Sequence, residues 1–233
     1  MRVIASLLLA LTMACQPKTE IPLTRAAELN IWKMTTLNSQ CTSFQIDFEL
    51  IVTAAHCARS DFYMFKNGED ALPGILIGVS TTTDVALFLV PGANRPGFPV
   101  SGALPVSGEA FTAIGYPAKV TKTHVLVPIT IVGMSRDEKG GIYATSMGPE
   151  VWPGMSGGPL VNSHGEVVGV VSSTGQIYFG PEGDPTSLMR EEGNFSVDLR
   201  KVIVEIIDGS RRQALGPDDF EEELEYPISP SDE

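Results

Sequence analysis

From Cys41 onward the hydrophobic positions fall into short runs separated by Gly, Pro, Asn or Asp. The runs are rich in Val, Ile, Thr and aromatic residues, which favour extended backbone. They read TSFQIDFELIVTAA, GILIGVS, DVALFLV, EAFTAIGYP, HVLVPITIVGMS, GIYATSM and GPLVNSHGEVVGVVSST. In the last run, NSHG is typical of a hairpin turn between two strands. So many short strands at this spacing predict an all-β barrel or sandwich.

Near the end of the chain the hydrophobic period changes to that of a helix. Apolar residues with helical spacing are Leu199, Val202, Ile203, Ile206 and Ile207. This spacing predicts one C-terminal helix, with Ser196 as its N-cap and Gly209 as its stop. The preceding segment 180–194, GPEGDPTSLMREEGN, has the composition of a long surface loop.

The first fourteen residues, MRVIASLLLALTMA, have a positive start, a short apolar stretch and small residues before Cys15. This pattern predicts a secretory signal peptide over residues 1–14, because the apolar stretch is too short to span a bilayer. The context LTMAC resembles the lipobox of bacterial lipoproteins, which implies a lipid on Cys15. Ordinary cleavage after Ala14 is the alternative. Residues 15–30 are then expected to form a polar tether.

The chain of 233 residues carries a formal net charge of −12 and is 43% hydrophobic, enough for a real core. Eight acidic residues and no Lys or Arg lie in 216–233, which leaves −4 for the rest of the chain. We therefore expect a solvated, disordered acidic tail over 210–233. The negative charge argues against nucleic acid and against an anionic membrane surface as partners, so membrane contact is expected only through the N-terminal lipid.

Export places the domain in an oxidising compartment, where cysteines can pair. With Cys15 set aside, Cys41 and Cys57 are left as an even pair, which favours a disulfide. His124 and His164 lie in a predicted strand and a predicted turn without ligand-like spacing. We therefore expect no metal site and no cofactor.

The stretch WPGMSGGPL surrounds Ser156 with glycines. A serine among Gly and Pro often does no more than hydrogen-bond its own turn. An attacking hydroxyl, in contrast, needs an open approach for the substrate and backbone N–H groups that can hold an oxyanion. Glycine permits both. The stretch alone does not decide between the two interpretations.

Three motifs, taken in their order along the chain, favour the interpretation of Ser156 as a nucleophile. TAAHC around His56, DVAL beginning at Asp84 and GMSGGP around Ser156 resemble the motifs of chymotrypsin-like serine peptidases. The short span from His56 to Asp84 and the GYP at 115–117 most resemble the corresponding features of short bacterial Deg-type peptidases. We expect this chain to have no PDZ domain. The resemblance runs from about Cys41 to Ile207. It implies two six-stranded β-barrels of chymotrypsin type with a C-terminal α-helix, in a peptidase domain spanning 31–209.

The resemblance also implies a role for each residue. Ser156 would attack the carbonyl carbon, His56 would act as general base and then general acid, and Asp84 would hold the imidazole. The backbone N–H groups of Gly154 and Ser156 would form the oxyanion hole. The Cys41–Cys57 pair matches the family's disulfide beside the histidine.

Three further residues fall where the family has its primary specificity pocket: Glu150, Val171 and Thr174. A carboxylate from Glu150 at the base would favour Lys or Arg in the substrate. Thr174 would narrow the entrance and favour Ala or Val. A substrate side chain cannot easily avoid the bulk of a stiff Thr174, whereas the charge of Glu150 has no effect if its side chain points elsewhere. We therefore expect a preference for Ala or Val over Lys or Arg.

The leading functional interpretation is an exported serine endopeptidase acting on proteins or peptides through a His-Asp-Ser triad and an acyl-enzyme. It would reside in the bacterial cell envelope, lipid-anchored, or be periplasmic or secreted. Two alternatives are a catalytically silent binding lipoprotein on the same scaffold and an envelope lipoprotein whose acidic tail is the functional part.

Overall fold

The computed structural model describes residues 22–36, 39–60, 62–118, 123–147, 151–179 and 188–215. Within these ranges it contains thirteen β-strands, two α-helices and one 3₁₀ turn. The predicted signal peptide, Cys15, Glu150 and the acidic segment from 216 onward lie outside the described residues. No helix in the described part of the chain is both long and apolar enough to cross a membrane.

The first lobe is an antiparallel sheet of seven strands in the order β5-β4-β1-β2-β3-β7-β6. Its strands are β1 (Ile31–Thr35), β2 (Gln40–Asp47), β3 (Leu50–Thr53), β4 (Met64–Asn67), β5 (Asp70–Pro73), β6 (Ile75–Val79) and β7 (Ala86–Leu89). The two strands at the ends of this order, β5 and β6, are joined in sequence by Gly74 alone. The two edges of the sheet therefore meet at Gly74, where a Cβ would collide with the ring of Phe65.

The second lobe is a closed barrel of six strands in the order β10-β13-β12-β11-β8-β9. Its strands are β8 (Ala110–Gly115), β9 (Val125–Arg136), β10 (Ile142–Met147), β11 (Pro159–Val161), β12 (Val167–Phe179) and β13 (Leu188–Val197). The helix α2 (Leu199–Leu215) follows. The prediction of a nearly all-β fold with a C-terminal helix is thus confirmed, and the second lobe is the expected six-stranded barrel. The first lobe has seven strands where six were predicted, because Gly74 divides the stretch 70–79 into β5 and β6.

Every apolar run quoted above forms one strand or two, and NSHG connects β11 to β12 as expected. The surface-loop prediction for 180–194 is wrong at its C-terminal end, because β13 begins at Leu188 and pairs with β12. The prediction of a tether is also wrong for its last part. Residues 23–30 form a helix, α1 (Leu23–Asn30), whose Ala27 is buried.

The predicted limits of the C-terminal helix are both wrong, although its buried face is right. Ser196 lies in β13 rather than at an N-cap, and the helix begins after Asp198, which adopts a left-handed φ of 62°. Gly209 does not end the helix, which continues to Leu215, so the prediction of a disordered tail is wrong for residues 210–215. The face carrying Val202 and Ile206 is buried, as the apolar spacing predicted.

The buried apolar side chains form three clusters. One fills the first lobe around Trp32 and Phe88, and one fills the second barrel around Phe195. The third joins residues of both lobes with the buried face of α2, including Phe44 and Ile114. Burial of this shared apolar surface fixes the two lobes against each other, so that loops from both can build one site.

Candidate active site

His56 and Asp84 are joined by two hydrogen bonds. His56 lies in the 3₁₀ turn Ala55–Cys57 that follows β3, and Asp84 ends the bend before β7. The backbone N–H of His56 donates to Asp84 Oδ1 at 2.8 Å, and His56 Nδ1 lies 2.7 Å from Asp84 Oδ2. Since β3 and β7 pair side by side, their ends bring these two residues together. The contact at Nδ1 leaves Nε2 as the imidazole nitrogen available to a reacting group.

The carboxylate of Asp84 accepts a third hydrogen bond, from a residue that the sequence motifs did not indicate. Ser172 Oγ donates to Asp84 Oδ2 at 2.7 Å, and Ser172 is buried. Burial raises the pKa of Asp84, but the hydrogen bonds from His56 and Ser172 outweigh it and hold that pKa below its usual value. The group is therefore a carboxylate at neutral pH.

A β-bulge explains how Ser172 reaches Asp84. The pairing of β12 with β13 shifts register between Val171 and Ser173, so that Ser172 is the extra residue. Such a bulge re-aims a side chain away from the regular alternation of the strand. The sequence GVVSST gives no alternation from which this orientation could be deduced, although two adjacent serines inside an apolar strand are a weak sign.

Ser156 lies in the connection between β10 and β11 of the second lobe, directly after a tight turn. Met155 N donates to Trp152 O at 3.0 Å, with Pro153 and Gly154 between them, and Gly154 has a φ of 95°. Pro followed by a residue of positive φ is the pattern of a type II turn. A Cβ on Gly154 would lie 2.6 Å from Ala118 N, so both the conformation and the close contact require glycine here.

Only some of the backbone N–H groups around Ser156 have a hydrogen-bond acceptor. The N–H groups of Met155, Gly157 and Gly158 each donate to a backbone carbonyl. Those of Gly154 and Ser156 have no acceptor among the described residues. Two unpaired donors on either side of one residue form an arrangement that can bind a negatively charged oxygen.

The serine turn is tied to the histidine turn through a disulfide. Cys41 and Cys57 are bonded, with their Cα atoms 6.3 Å apart, and Cys57 adjoins His56. Thr42, which adjoins Cys41, donates its N–H to Ser156 O at 2.8 Å. Cys57 Sγ itself lies 4.0 Å from that same oxygen. The three motifs found in the sequence therefore converge on one region.

Comparison with known proteins agrees with this geometry. The family model of the trypsin-like peptidase domain matches residues 41–170. The chain belongs to the trypsin-like peptidase family. The serine protease HhoB of Synechocystis sp. is 35% identical over 128 residues, which are 52% of this chain and 30% of that protein. A DegP-like periplasmic serine endoprotease of Halomonas elongata is 31% identical over 127 residues, 52% of this chain and 26% of that protein.

The match therefore spans less than one third of either relative. Among solved structures, the inactive form of the protease Rv3671c of Mycobacterium tuberculosis superposes with a TM-score of 0.63 at 21% identity. The superposition covers 79% of this chain and 92% of that structure. At this identity the structural match shows the fold.

A cleft of about 690 Å³ opens beside the His56–Asp84 pair of this trypsin-like domain. Thr81–Thr83 line one side, and the hairpin loop Asp137–Lys139 between β9 and β10 lines another. Arg59 and Lys139 contribute positive charge, which balances the acids of the hairpin. Ser156 is not among the residues that line this cleft, and the charges on its walls favour no single charge in a bound group.

Of the three predicted pocket residues, only Val171 has a described side chain. It is 1% exposed and packs in the core of the second barrel, while its backbone pairs with Gly157 and Gly158 of the serine turn. The backbone of Thr174 pairs with Gly193 in the β12–β13 ladder. The pocket assignment stays a prediction.

The Cys41, His56 and Cys57 side chains are close enough together to suggest a metal site, with potential ligand atoms within 4.8 Å of one another. Zinc and similar ions bind cysteine as thiolate. Because the two sulfur atoms are bonded to each other, this group offers only the imidazole nitrogen.

Proposed function

We propose that this chain is an exported serine endopeptidase that hydrolyses peptide bonds through an acyl-enzyme on Ser156. The observation that carries the proposal is the pairing of His56 with the Asp84 carboxylate beside a turn that leaves the amides of Gly154 and Ser156 unpaired. A structural histidine in a satisfied core would need neither the carboxylate nor the free amides.

In this mechanism the Ser156 hydroxyl attacks the carbonyl carbon of the peptide bond, and His56 Nε2 takes its proton. The imidazolium then passes the proton to the leaving amine, and water repeats the sequence on the acyl-enzyme. Asp84 holds the tautomer with the proton on Nδ1 and stabilises the imidazolium. Its depressed pKa keeps the carboxylate ionised for both tasks.

The Gly154 and Ser156 amides supply the electrostatic part of the rate enhancement. The substrate carbonyl oxygen becomes negative as the tetrahedral intermediate forms, and two N–H donors already in place stabilise it without reorganisation. Removal of one such donor typically lowers kcat about 10²- to 10³-fold.

The test is hydrolysis of a casein or peptide-pool substrate by the purified domain. We expect activity from wild type, its loss in Ser156→Ala and His56→Ala, and its retention in Ser163→Ala, which alters an exposed serine in the turn between β11 and β12. Equal activity of wild type and Ser156→Ala would refute the assignment. An inert wild type would favour a silent binding protein on this scaffold.

Export and anchoring form the second part of the proposal. Two features support it: the signal-like residues 1–14 and the Cys41–Cys57 disulfide, which suits an oxidising compartment. The finer proposal is that Cys15 carries acyl chains that hold the protein on the envelope membrane. Intact mass and membrane fractionation should show loss of lipid and of attachment in Cys15→Ser, and an unchanged mass and distribution would contradict the anchor.

The substrate preference completes the proposal. We expect cleavage after small or medium aliphatic residues, because a β-branched Thr174 would narrow the pocket. Peptides varied only at the residue before the cleaved bond test this against wild type, Thr174→Gly and Glu150→Gln. Gain of larger side chains in Thr174→Gly supports the expectation, whereas efficient Arg cleavage that Glu150→Gln abolishes contradicts it.

A further inference from the structure

The serine turn is supported from behind by backbone of the segment after β8 and by β2. Ala118 N donates to Pro153 O at 2.8 Å, and Thr42 N donates to Ser156 O at 2.8 Å. Because a trans peptide directs its N–H opposite to its C=O, the bond to Pro153 O points the Gly154 N–H away from Ala118. The orientation of this amide therefore depends on contacts on the far side of the turn.

Thr42 supplies a further contact of a different kind. Its side chain is fully buried, and its hydroxyl donates to Gly154 O at 2.8 Å. The Thr42 hydroxyl oxygen also accepts the backbone N–H of Tyr116, at 2.8 Å. One side-chain atom thus links β2, the segment after β8 and the carbonyl of the glycine whose amide is unpaired.

Neighbouring groups leave this hydroxyl little freedom. A Cβ on Gly115 would lie 3.0 Å from Thr42 Oγ1 and 3.0 Å from Met155 Cα, so the glycine provides the space in which the three segments meet. The Thr42 carbonyl in turn accepts Thr53 Oγ1 at 2.7 Å, two residues before the 3₁₀ turn of His56. Thr42 is therefore held through Thr53, close to the turn of His56, and in turn holds the turn that precedes Ser156.

Rotation of the peptides around Gly154 would break this bridge. The Gly154 carbonyl would leave the Thr42 hydroxyl, and a buried carbonyl or hydroxyl without a partner is costly. We propose that Thr42 is a positioning residue whose hydroxyl holds the turn with the Gly154 and Ser156 amides directed at the substrate oxygen. The proposal rests on the proposed peptidase function.

The role belongs to the hydroxyl, and the choice of variants follows from that. Thr42→Val keeps the shape and removes the hydrogen bonds, whereas Thr42→Ser keeps the hydroxyl and removes only the methyl group. Ser43→Ala is the matched control, because Ser43 is also buried on β2 and donates to a backbone carbonyl, Trp32 O at 3.2 Å, away from the serine turn.

The experiment measures kcat and KM per folded protein and the inhibition constant of a peptide boronic acid, which forms a tetrahedral adduct on the serine. For Thr42→Val we expect kcat to fall about 10- to 100-fold, less than for loss of an oxyanion donor itself, with KM changed less than about twofold. The boronic acid should bind more weakly by a similar factor. Thr42→Ser should recover most of both losses, and Ser43→Ala should change neither.

A lowered thermal midpoint in Thr42→Val with unchanged kcat and boronic acid affinity would show a purely structural role and overturn the proposal. If Thr42→Val does not fold, Thr42→Ala replaces it, because the smaller side chain avoids a steric conflict between the valine methyl group and Gly115. The same measurements are then made on Thr42→Ala, and the same losses of kcat and of boronic acid affinity are expected. A wild type that neither hydrolyses peptides nor binds the boronic acid would overturn the peptidase function together with this role. An active wild type with an equally active Thr42→Val overturns this role alone.

Discussion

Replacing Ser172 with alanine removes one hydrogen bond from a buried carboxylate and leaves the rest of the site in place. Asp84 keeps both bonds to His56 and loses only the 2.7 Å bond from Ser172 Oγ. A hydrogen bond to a charged group contributes about 1.5–3 kcal/mol. The Asp84 side chain is only 20% exposed, so water replaces little of the loss. We therefore expect the free energy of unfolding to fall by about 1.5–3 kcal/mol at pH 7.

The effect should depend on pH with a definite sign. Because the pKa of Asp84 is lower in the folded protein, its stabilisation is complete above the unfolded value of about 3.9 and disappears as the pH falls through the folded value. Urea unfolding at pH 7 and at pH 3 measures this directly. The difference between wild type and Ser172→Ala should shrink at pH 3, and kcat at pH 7 should fall because His56 is held less firmly. A difference below about 0.5 kcal/mol at pH 7, or one independent of pH, would refute the reasoning.

Three other changes test separate contacts. In Gly154→Ala the Cβ would lie 2.6 Å from Ala118 N, so the turn must shift and the Gly154 N–H loses its direction towards the substrate oxygen. We expect kcat to fall about 10²- to 10³-fold, as for loss of one oxyanion donor, with circular dichroism as the check on folding, and a near-normal kcat would contradict the oxyanion assignment. Joint replacement of Cys41 and Cys57 by alanine should lower the free energy of unfolding in urea by about 3 kcal/mol and reduce activity, and unchanged values would contradict the role of the bridge. Glu205, on α2, accepts hydrogen bonds from Thr81, which lowers its pKa despite partial burial. The stability advantage of wild type over Glu205→Ala should therefore be largest above about pH 5 and decline in acid, as thermal midpoints across pH will show.

The sequence predicted the parts of the fold in which side-chain pattern and backbone structure agree. Strands such as β7 and β9 are apolar runs between turn residues, and each histidine, aspartate and serine motif ends or begins such a run. Strand β13 could not be found this way, because Leu188–Val197 is mostly polar and is held by its backbone ladder to β12. The extension of α2 beyond Gly209 has a similar cause. A glycine inside a helix costs only about 1 kcal/mol, and a Cβ there would meet open space.

The candidate site was predictable for the residues that lie in contiguous motifs. Ser172 was missed because a bulge, which depends on the pairing partner, decides where its side chain points. The Thr42 bridge was missed because its partners are 112 and 74 residues away in sequence. Such contacts follow from the packing of the two lobes, which a one-dimensional pattern does not contain.

The central claim is that Ser156 is a nucleophile activated by His56. The most direct measurement is reaction of the purified domain with a fluorophosphonate, followed by peptide mapping of the adduct. Our account predicts one phosphonyl group per protein on Ser156, its absence in Ser156→Ala and a greatly slowed reaction in His56→Ala. An adduct on another serine, or equal labelling of wild type and Ser156→Ala, would contradict it.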